Sequence, residues 1–254
     1  MSPNSRAKKI AIITGASSGL GAEFARQLDR EGLDEIWLVA RRKKNLDELA
    51  KNLKTRSVAL KYDLKESKNL DAFHGKLDKE RPEIAFLVNN AGIGAVGPVA
   101  SSTHDQVLGM IDLNIRALVS VTMSAIPYMG TGSVMIQVAS SAGFAPLANF
   151  AVYAATKSFV IHFSNAISEE LKEKKINVTA VCPGPVRTEF FDASGISNVP
   201  RFLYEAPDVV KYAIKHGKKG KLLSVHGLWI KAYGVIAPFL PRKLILKVSK
   251  KIKG

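Results

Sequence analysis

The stretch "IAIITGASSGLGAEFARQL", Ile10 to Leu28, decides the fold. Its opening residues are apolar and β-branched and read as a buried strand, Ile10–Thr14. Gly15, Gly19 and Gly21 follow, and a segment of helical spacing, Leu20–Arg30, begins among them. Glycines at a strand–helix junction permit a tight turn and let the backbone come close to a pyrophosphate, while the helix N-terminus faces the anion. Alone this is a weak signal, because turns need glycine for their own reasons. The spacing Gly-x-x-x-Gly-x-Gly also differs from the usual Gly-x-Gly-x-x-Gly dinucleotide pattern.

The same alternation continues outward from this unit. Strands are predicted at Glu35–Ala40, Arg56–Lys61, Ile84–Asn89, Ser133–Val138, Ile176–Cys182 and Lys221–Val225. Helices are predicted at Asn45–Lys54, Leu70–Lys79, Gln106–Ile126 and Val152–Lys172. Strands alternating with helices imply an α/β fold: one doubly wound parallel sheet of about seven strands with helices on both faces. Ligands of such sheets bind beyond the carboxyl ends of the strands, where the strand order reverses.

Bulk properties exclude several classes. At 254 residues, with 46% hydrophobic and 23% charged residues, the chain suits one α/β domain. The single cysteine, Cys182, allows no internal disulfide and reads as a small buried residue, in keeping with a reducing, cytoplasmic setting. Ile10–Ile13 is too short for a signal-peptide core, and no uncharged apolar run is long enough to span a bilayer. His74, His104, His162, His216 and His226 have no paired spacing for a metal, so none is expected. The formal charge of +15 is concentrated: no Asp or Glu follows residue 208, whereas 12 Lys and Arg do. The first 208 residues hold 25 basic and 22 acidic residues, a balance that argues against a nucleic-acid-binding body.

Three more motifs stand just after predicted strands or on the long helix: "NNAG" (Asn89–Gly92), "YAATK" (Tyr153–Lys157) and "PGPVRT" (Pro183–Thr188). Together with "TGASSGLG" (Thr14–Gly21), in this order and spacing, they resemble the short-chain dehydrogenase/reductase superfamily over about residues 8 to 190. The resemblance implies a Rossmann-type fold. It implies a nicotinamide cofactor held by Gly15, Ser17, Ser18, Gly19, Leu20 and Gly21. Further contacts are implied for Asp63 and Leu64 at the adenine, for Asn90, Ala91 and Gly92, and for Pro183, Gly184, Val186 and Thr188. The second strand ends "WLVARRKK", with Ala40 where NAD-specific sites place an acid, followed by Arg41 and Arg42. An acid there would repel a 2′-phosphate and a guanidinium can grip one, so NADP(H) is expected, with Arg41 as the first contact.

Tyr153 and Lys157 are one helical turn apart and share a face. A free tyrosine, with a pKa of about 10, is a poor acid–base group near neutrality; a neighbouring ammonium and the positive oxidised nicotinamide are expected to favour its phenolate. Such a pair is common on helices by chance. By resemblance it gains partners: Ser140 to hold the substrate oxygen, with Ser141 the neighbouring competitor; Lys157 on the nicotinamide ribose; and Asn114 to anchor a water that relays protons toward Lys157. The implied reaction is hydride transfer between a nicotinamide and a carbonyl or secondary alcohol.

The substrate loop is expected at about residues 189–206. Phe190, Phe191, Phe202, Leu203 and Tyr204, with Phe144, Leu147 and Phe150, are candidate pocket walls. Few charges stand among them, which suits an apolar ketone or alcohol, hydroxysteroid-like or acyl-bearing. Met110, Met123 and Met129 are expected in core or pocket. Residues 1–225 read as the catalytic domain and 226–254 as its basic extension, in place of the acidic end used in the family's usual tetramer, so a dimer is favoured. From Pro241 a helix is predicted with Leu244, Ile245, Val248 and Ile252 on one side and Lys243, Lys247, Lys250 and Lys251 on the other, and Leu246 out of pattern. Such a helix either lies on an anionic membrane surface, with Trp229, Tyr233 and Phe239 at the interface, or packs on the body or a second subunit.

Overall fold

The computed structural model describes residues 6–197, 199–200 and 202–250. Seven strands form one sheet: β1 (Lys9–Thr14), β2 (Glu35–Ala40), β3 (Ser57–Lys61), β4 (Glu83–Asn89), β5 (Val134–Val138), β6 (Asn177–Val181) and β7 (Leu223–Ser224). Their order is β3-β2-β1-β4-β5-β6-β7, and every pairing is parallel. The order reverses between β1 and β4, so the cleft expected by the general rule lies at the carboxyl ends of these two strands.

Strand periodicity divides the core between two layers. Ala11 and Ile13 of β1 point to the side of Phe24, Leu28 and Leu46, whereas Ile10 and Ile12 point to that of Trp37, Phe73 and Leu77. A strand buried on both faces must be apolar throughout, which is why "IAII" lacks a polar alternation. The first layer holds α1 (Gly19–Leu28), α2 (Lys43–Lys51) and α8 (Ala206–Lys218). The second holds α3 (Ser67–Glu80), α5 (Leu118–Ala125) and part of α6 (Ala151–Glu170).

Three departures from the sequence reading have physical causes. The helix expected over Gln106–Ile126 is α4 (His104–Ile111), a π-helical turn (Asp112–Ala117) and α5. A π turn inserts one extra residue, and here Asn114 stands within it, fully buried. The continuous run His104–Tyr128 is long and apolar enough to cross a membrane by length and composition. It is a core helix, because Met110, Ala117, Leu118, Val121 and Ala125 are buried within the domain. No helix was expected between residues 189 and 220, yet α7 (Phe190–Ser194) and α8 lie there. The signal for α8 was present: Pro207 at its start and buried Val209, Val210, Ala213, Ile214 and Gly217 at helical spacing. The last strand shrinks from Lys221–Val225 to two residues and is followed by α9 (Leu228–Ile236) and α10 (Arg242–Ser249).

Candidate active site

Backbone contacts build the first wall. Gly15 has φ of +67°, and a Cβ on it would stand 2.7 Å from Asn90 Nδ2 and 2.9 Å from Ala91 Cα. A Cβ on Gly21 would stand 2.2 Å from the Gly15 carbonyl oxygen. The β1–α1 turn therefore closes this tightly only with glycine at both positions. The neighbouring β4 end is stitched to it. Asn90 Nδ2 donates to the carbonyls of Thr14 (3.0 Å) and Gly15 (3.2 Å), while the Asn90 and Ala91 amides both donate to Thr14 Oγ1 at 3.0 Å. These bonds hold the floor on which Gly19, Leu20, Gly92 and Thr188 converge around one cleft of about 750 Å³.

The other implied residues reach the same cleft. Ser17, Ser18, Arg41, Asp63, Leu64, Asn90, Ala91, Pro183, Gly184 and Val186 all line it. Gly21 is the exception; it is buried behind the turn and acts by letting Gly15 approach. Arg41 is exposed at the rim and has no ion-pair partner among the described residues. Arg42, which the sequence reading left without a role of its own, spans the cleft edge instead. Its Nε bonds Ser17 Oγ (3.2 Å), its Nη2 bonds Ser18 Oγ (2.5 Å) and its Nη1 pairs with Glu189 Oε2 at 2.8 Å. It thus ties the phosphate turn to the start of the substrate loop. A rim guanidinium above a turn with no room for a Cβ at Gly15 or Gly21 could hold an anionic dinucleotide.

At the far end of the cleft, α6 presents Tyr153 and Lys157, both buried. Ser140 begins the turn after β5, with its Oγ accepting from Ala142 N at 3.1 Å. That turn lies against α6 only because residue 143 is glycine: a Cβ there would stand 2.7 Å from the Lys157 carbonyl carbon. Ser140 is consequently within hydrogen-bonding reach of Tyr153. Ser141 also lines the cleft, and its amide is tied to the Pro183 carbonyl at 2.9 Å. Lys157 Nζ donates to the Val138 carbonyl at 2.8 Å and stands 5.7 Å from the Tyr153 ring centroid. Asn114 reaches in from the π turn. Its Oδ1 accepts from the Ile93 amide at 2.9 Å, and its Nδ2 donates to the Ile93 carbonyl (2.9 Å) and Thr156 Oγ1 (3.0 Å). Its side chain clamps the loop after β4 to α6.

Burial opposes the charge that the protein's own ammonium is expected to favour on Tyr153. Burial pushes the Tyr153 hydroxyl up to about 12, against an opposing hydrogen bond with Ser140. Burial also pushes the Lys157 ammonium down to about 8, with the nearby Cys182 sulfur opposing. Desolvation penalises the charged form of each, so the protein groups alone keep Tyr153 protonated instead of favouring its phenolate. Cys182 is fully buried, and its own thiol is pushed up to about 12, so it is no nucleophile.

The substrate side is aromatic. Phe150 stacks on Tyr153 with centroids 4.4 Å apart, and Phe190 tilts against the same ring at 5.4 Å. Phe191, Leu147 and Ile196 complete that wall. A Cβ on Gly94 would stand 2.7 Å from Phe190 Cζ, so the loop after β4 must be bare for the rings to meet. Phe202, Leu203 and Tyr204, expected here, do not line the cleft. Phe202 is 67% exposed, and Tyr204 packs against His226. Phe144 sits behind the wall, edge-on to Tyr233, and Tyr233 of α9 lines the cleft in its place. Sequence reading had assigned Tyr233 to an interface. Met110 and Met129 are buried as expected, but Met123 is 66% exposed because it falls on the outer side of α5.

A glycine turn at the sheet's reversal point, opening on a buried Ser–Tyr–Lys group, defines a dinucleotide-dependent oxidoreductase site. Comparison with known proteins makes the class specific. Residues 9–196 match the family model described as short chain dehydrogenase. The chain belongs to that family and is an oxidoreductase of it. It is 30% identical over 255 residues to a very-long-chain 3-oxoacyl-CoA reductase of Rattus norvegicus, covering 93% of this chain and 77% of the relative. A short-chain dehydrogenase from Sphingobium yanoikuyae, solved in complex with NADPH, has a TM-score of 0.82 and 30% identity, covering 97% of this chain and 96% of that one. The bulky-bulky ketone specific alcohol dehydrogenase of Comamonas testosteroni has a TM-score of 0.74 and 25% identity, covering 96% and 94%.

Proposed function

We propose that the protein is an NADP(H)-dependent reductase that interconverts a bulky apolar ketone and its secondary alcohol. The observation that carries the reading is the position of Tyr153: a buried side chain that lines, with Ser140, the end of a cleft walled by Phe150, Phe190 and Leu147. The nicotinamide, when bound, supplies or accepts the hydride at the carbon. The chain's residues manage the oxygen. Ser140 holds it by a hydrogen bond, and Tyr153 delivers its proton as the carbonyl becomes a hydroxyl. A hydroxyl held near 12 starts in the proton-donating state, which suits reduction at neutral pH. Lys157, fixed on Val138, stands 5.7 Å from the ring centroid of the phenolate left behind and is the group assigned to the nicotinamide ribose. Asn114 positions the loop through its side chain, which leaves the expected water-anchoring role to its main chain.

Preference for NADP(H) is supported by the free Arg41 guanidinium at the rim, the absence of an acid at Ala40, and the NADPH held by the Sphingobium yanoikuyae relative. The substrate class is supported by the aromatic wall and by the bulky ketones named for the Comamonas testosteroni enzyme. A 3-oxoacyl thioester is the second reading, favoured by the resemblance to the Rattus norvegicus reductase. Residues 1–225 serve as the catalytic domain and 226–254 as its extension. An anionic membrane surface contacted through 227–254 is the association that suits a basic extension, and a homodimer would form through another face. The test is NADPH oxidation by the purified chain against ketosteroids, 3-oxoacyl thioesters and small ketones. Turnover of the bulky ketones is expected; no turnover with any of the three would overturn the reading.

A further inference from the structure

Helix α9 is apolar on two opposite sides. Its inner side packs on the site. Ile230 lies so close to Gly184 that a Cβ there would be 2.8 Å from Ile230 Cγ1, Gly234 meets the Phe144 ring, and Tyr233 lines the cleft. Its outer side carries Leu228, Trp229, Val235 and Ile236, and the following 3₁₀ turn adds Phe239. Leu228, Trp229 and Phe239 are 82%, 85% and 84% exposed. A contiguous set of large apolar side chains this exposed marks an interaction surface.

Charge identifies the occupant. The segment from residue 209 holds 12 Lys and Arg and no acid. Across a two-fold axis, a second copy would bring two such segments together with no carboxylate of their own to pair them. An anionic bilayer instead offers apolar chains to Trp229 and Phe239 and negative headgroups to the exposed Lys243 and Lys247 of α10 and Lys250 just after it. Helix α10 divides its expected apolar side: Leu244 and Val248 are 50% and 60% exposed, whereas Ile245 turns to the body. Ile245 and Ser249 are buried, Ser249 Oγ accepts from Ala148 N at 2.9 Å, and α10 is thereby pinned to the body. Ile252, Lys251 and Lys253 lie outside the described residues.

We propose that the outer face of α9, with Phe239, seats on an anionic lipid bilayer, and that apolar substrate passes from the bilayer into the cleft along the inner face of the same helix. The delivery part rests on the ketone-reductase reading; the docking part does not. The test is flotation of the full chain with phosphatidylglycerol/phosphatidylcholine vesicles and with phosphatidylcholine alone. Trp229 emission is read in parallel, since Trp37, the other tryptophan, is fully buried and stays unchanged. Flotation with the anionic vesicles and a blue shift of Trp229 are expected. Leu228→Glu/Phe239→Glu, at two exposed positions that leave the fold intact, should cut the floated fraction about tenfold. It should also lower turnover of a vesicle-partitioned ketone while sparing a water-soluble one. Lys243→Glu/Lys247→Glu should weaken flotation by a smaller factor. Equal flotation of the Leu228→Glu/Phe239→Glu chain overturns the proposal. So does a wild-type chain that stays unfloated but forms a dimer abolished by the same pair, which would assign the face to a second copy. Intact flotation with no NADPH oxidation on any ketone would instead overturn the catalytic reading alone.

Discussion

The two ends of the cleft are built by different forces. The β1–α1 turn is held by backbone: Gly15 and Gly21 exclude any Cβ, and Asn90 and Thr14 stitch the turn to β4 with four bonds of 3.0–3.2 Å. The α9 wall is held by side-chain packing, with Tyr233 edge-on to Phe144, and, among the described residues, by a polar tie from Lys231 Nζ to Tyr212 Oη at 2.9 Å. Backbone geometry tolerates no substitution at the contact, whereas packed side chains tolerate volume-conserving change. The first end therefore suits a ligand of constant shape, a dinucleotide. The second can vary with the substrate.

Substitutions can break this contrast, and the largest effect is expected at the reacting group. Tyr153→Phe should lower turnover by about 10³-fold, within the range of general acid catalysis, while NADPH affinity by calorimetry stays within about twofold. Substantial residual turnover would remove Tyr153 from its role. Gly21→Ala comes next. A methyl 2.2 Å from the Gly15 oxygen forces the turn open, and NADPH binding should weaken by about 100-fold, roughly 3 kcal/mol. Tyr233→Leu, on the packed wall, should change KM among ketones severalfold and leave the NADPH affinity alone.

Smaller effects should come from charge. Lys157 is pushed down to about 8, so its cationic form is complete below that pH and is lost as pH rises through it. Reductive kcat should accordingly fall above about pH 8, and a flat profile to pH 10 would show that Lys157 charge does not assist Tyr153. The least change is expected at the Arg42–Glu189 pair, whose partners are both exposed. Glu189→Gln removes a competitor for Arg42 and a negative charge beside the phosphate turn. The NADPH-over-NADH preference should rise by about three- to tenfold, measured as the ratio of kcat/KM values. Arg41→Asp should reverse that preference.

Legibility from sequence followed the same division. "TGASSGLG" and "NNAG" could be read because glycine at a turn and asparagine beside it answer local backbone demands that any such chain must meet. Tyr153 and Lys157 could be placed on one face because four residues on a helix is a fixed distance, and the family resemblance singled them out. The role of Arg42 could not: its partners Ser17, Ser18 and Glu189 are brought together only by the folded cleft. Tyr233 and Phe202 exchanged roles for the same reason. Each is an aromatic in an apolar stretch, and only packing of α9 on Phe144 and Gly184 turns one inward while the other points to solvent.

Sequence by itself determined the alternation of strands and helices, the glycine turn and the shared face of Tyr153 and Lys157, because strand period, glycine geometry and helix pitch are local properties of a chain; Ser140 joined them only through the family resemblance. Tertiary structure alone decided the protonation of that group and the direction in which the C-terminal apolar residues face. Desolvation depends on what covers a side chain, and a helix that is apolar on two opposite sides has no preferred face until the rest of the protein supplies one.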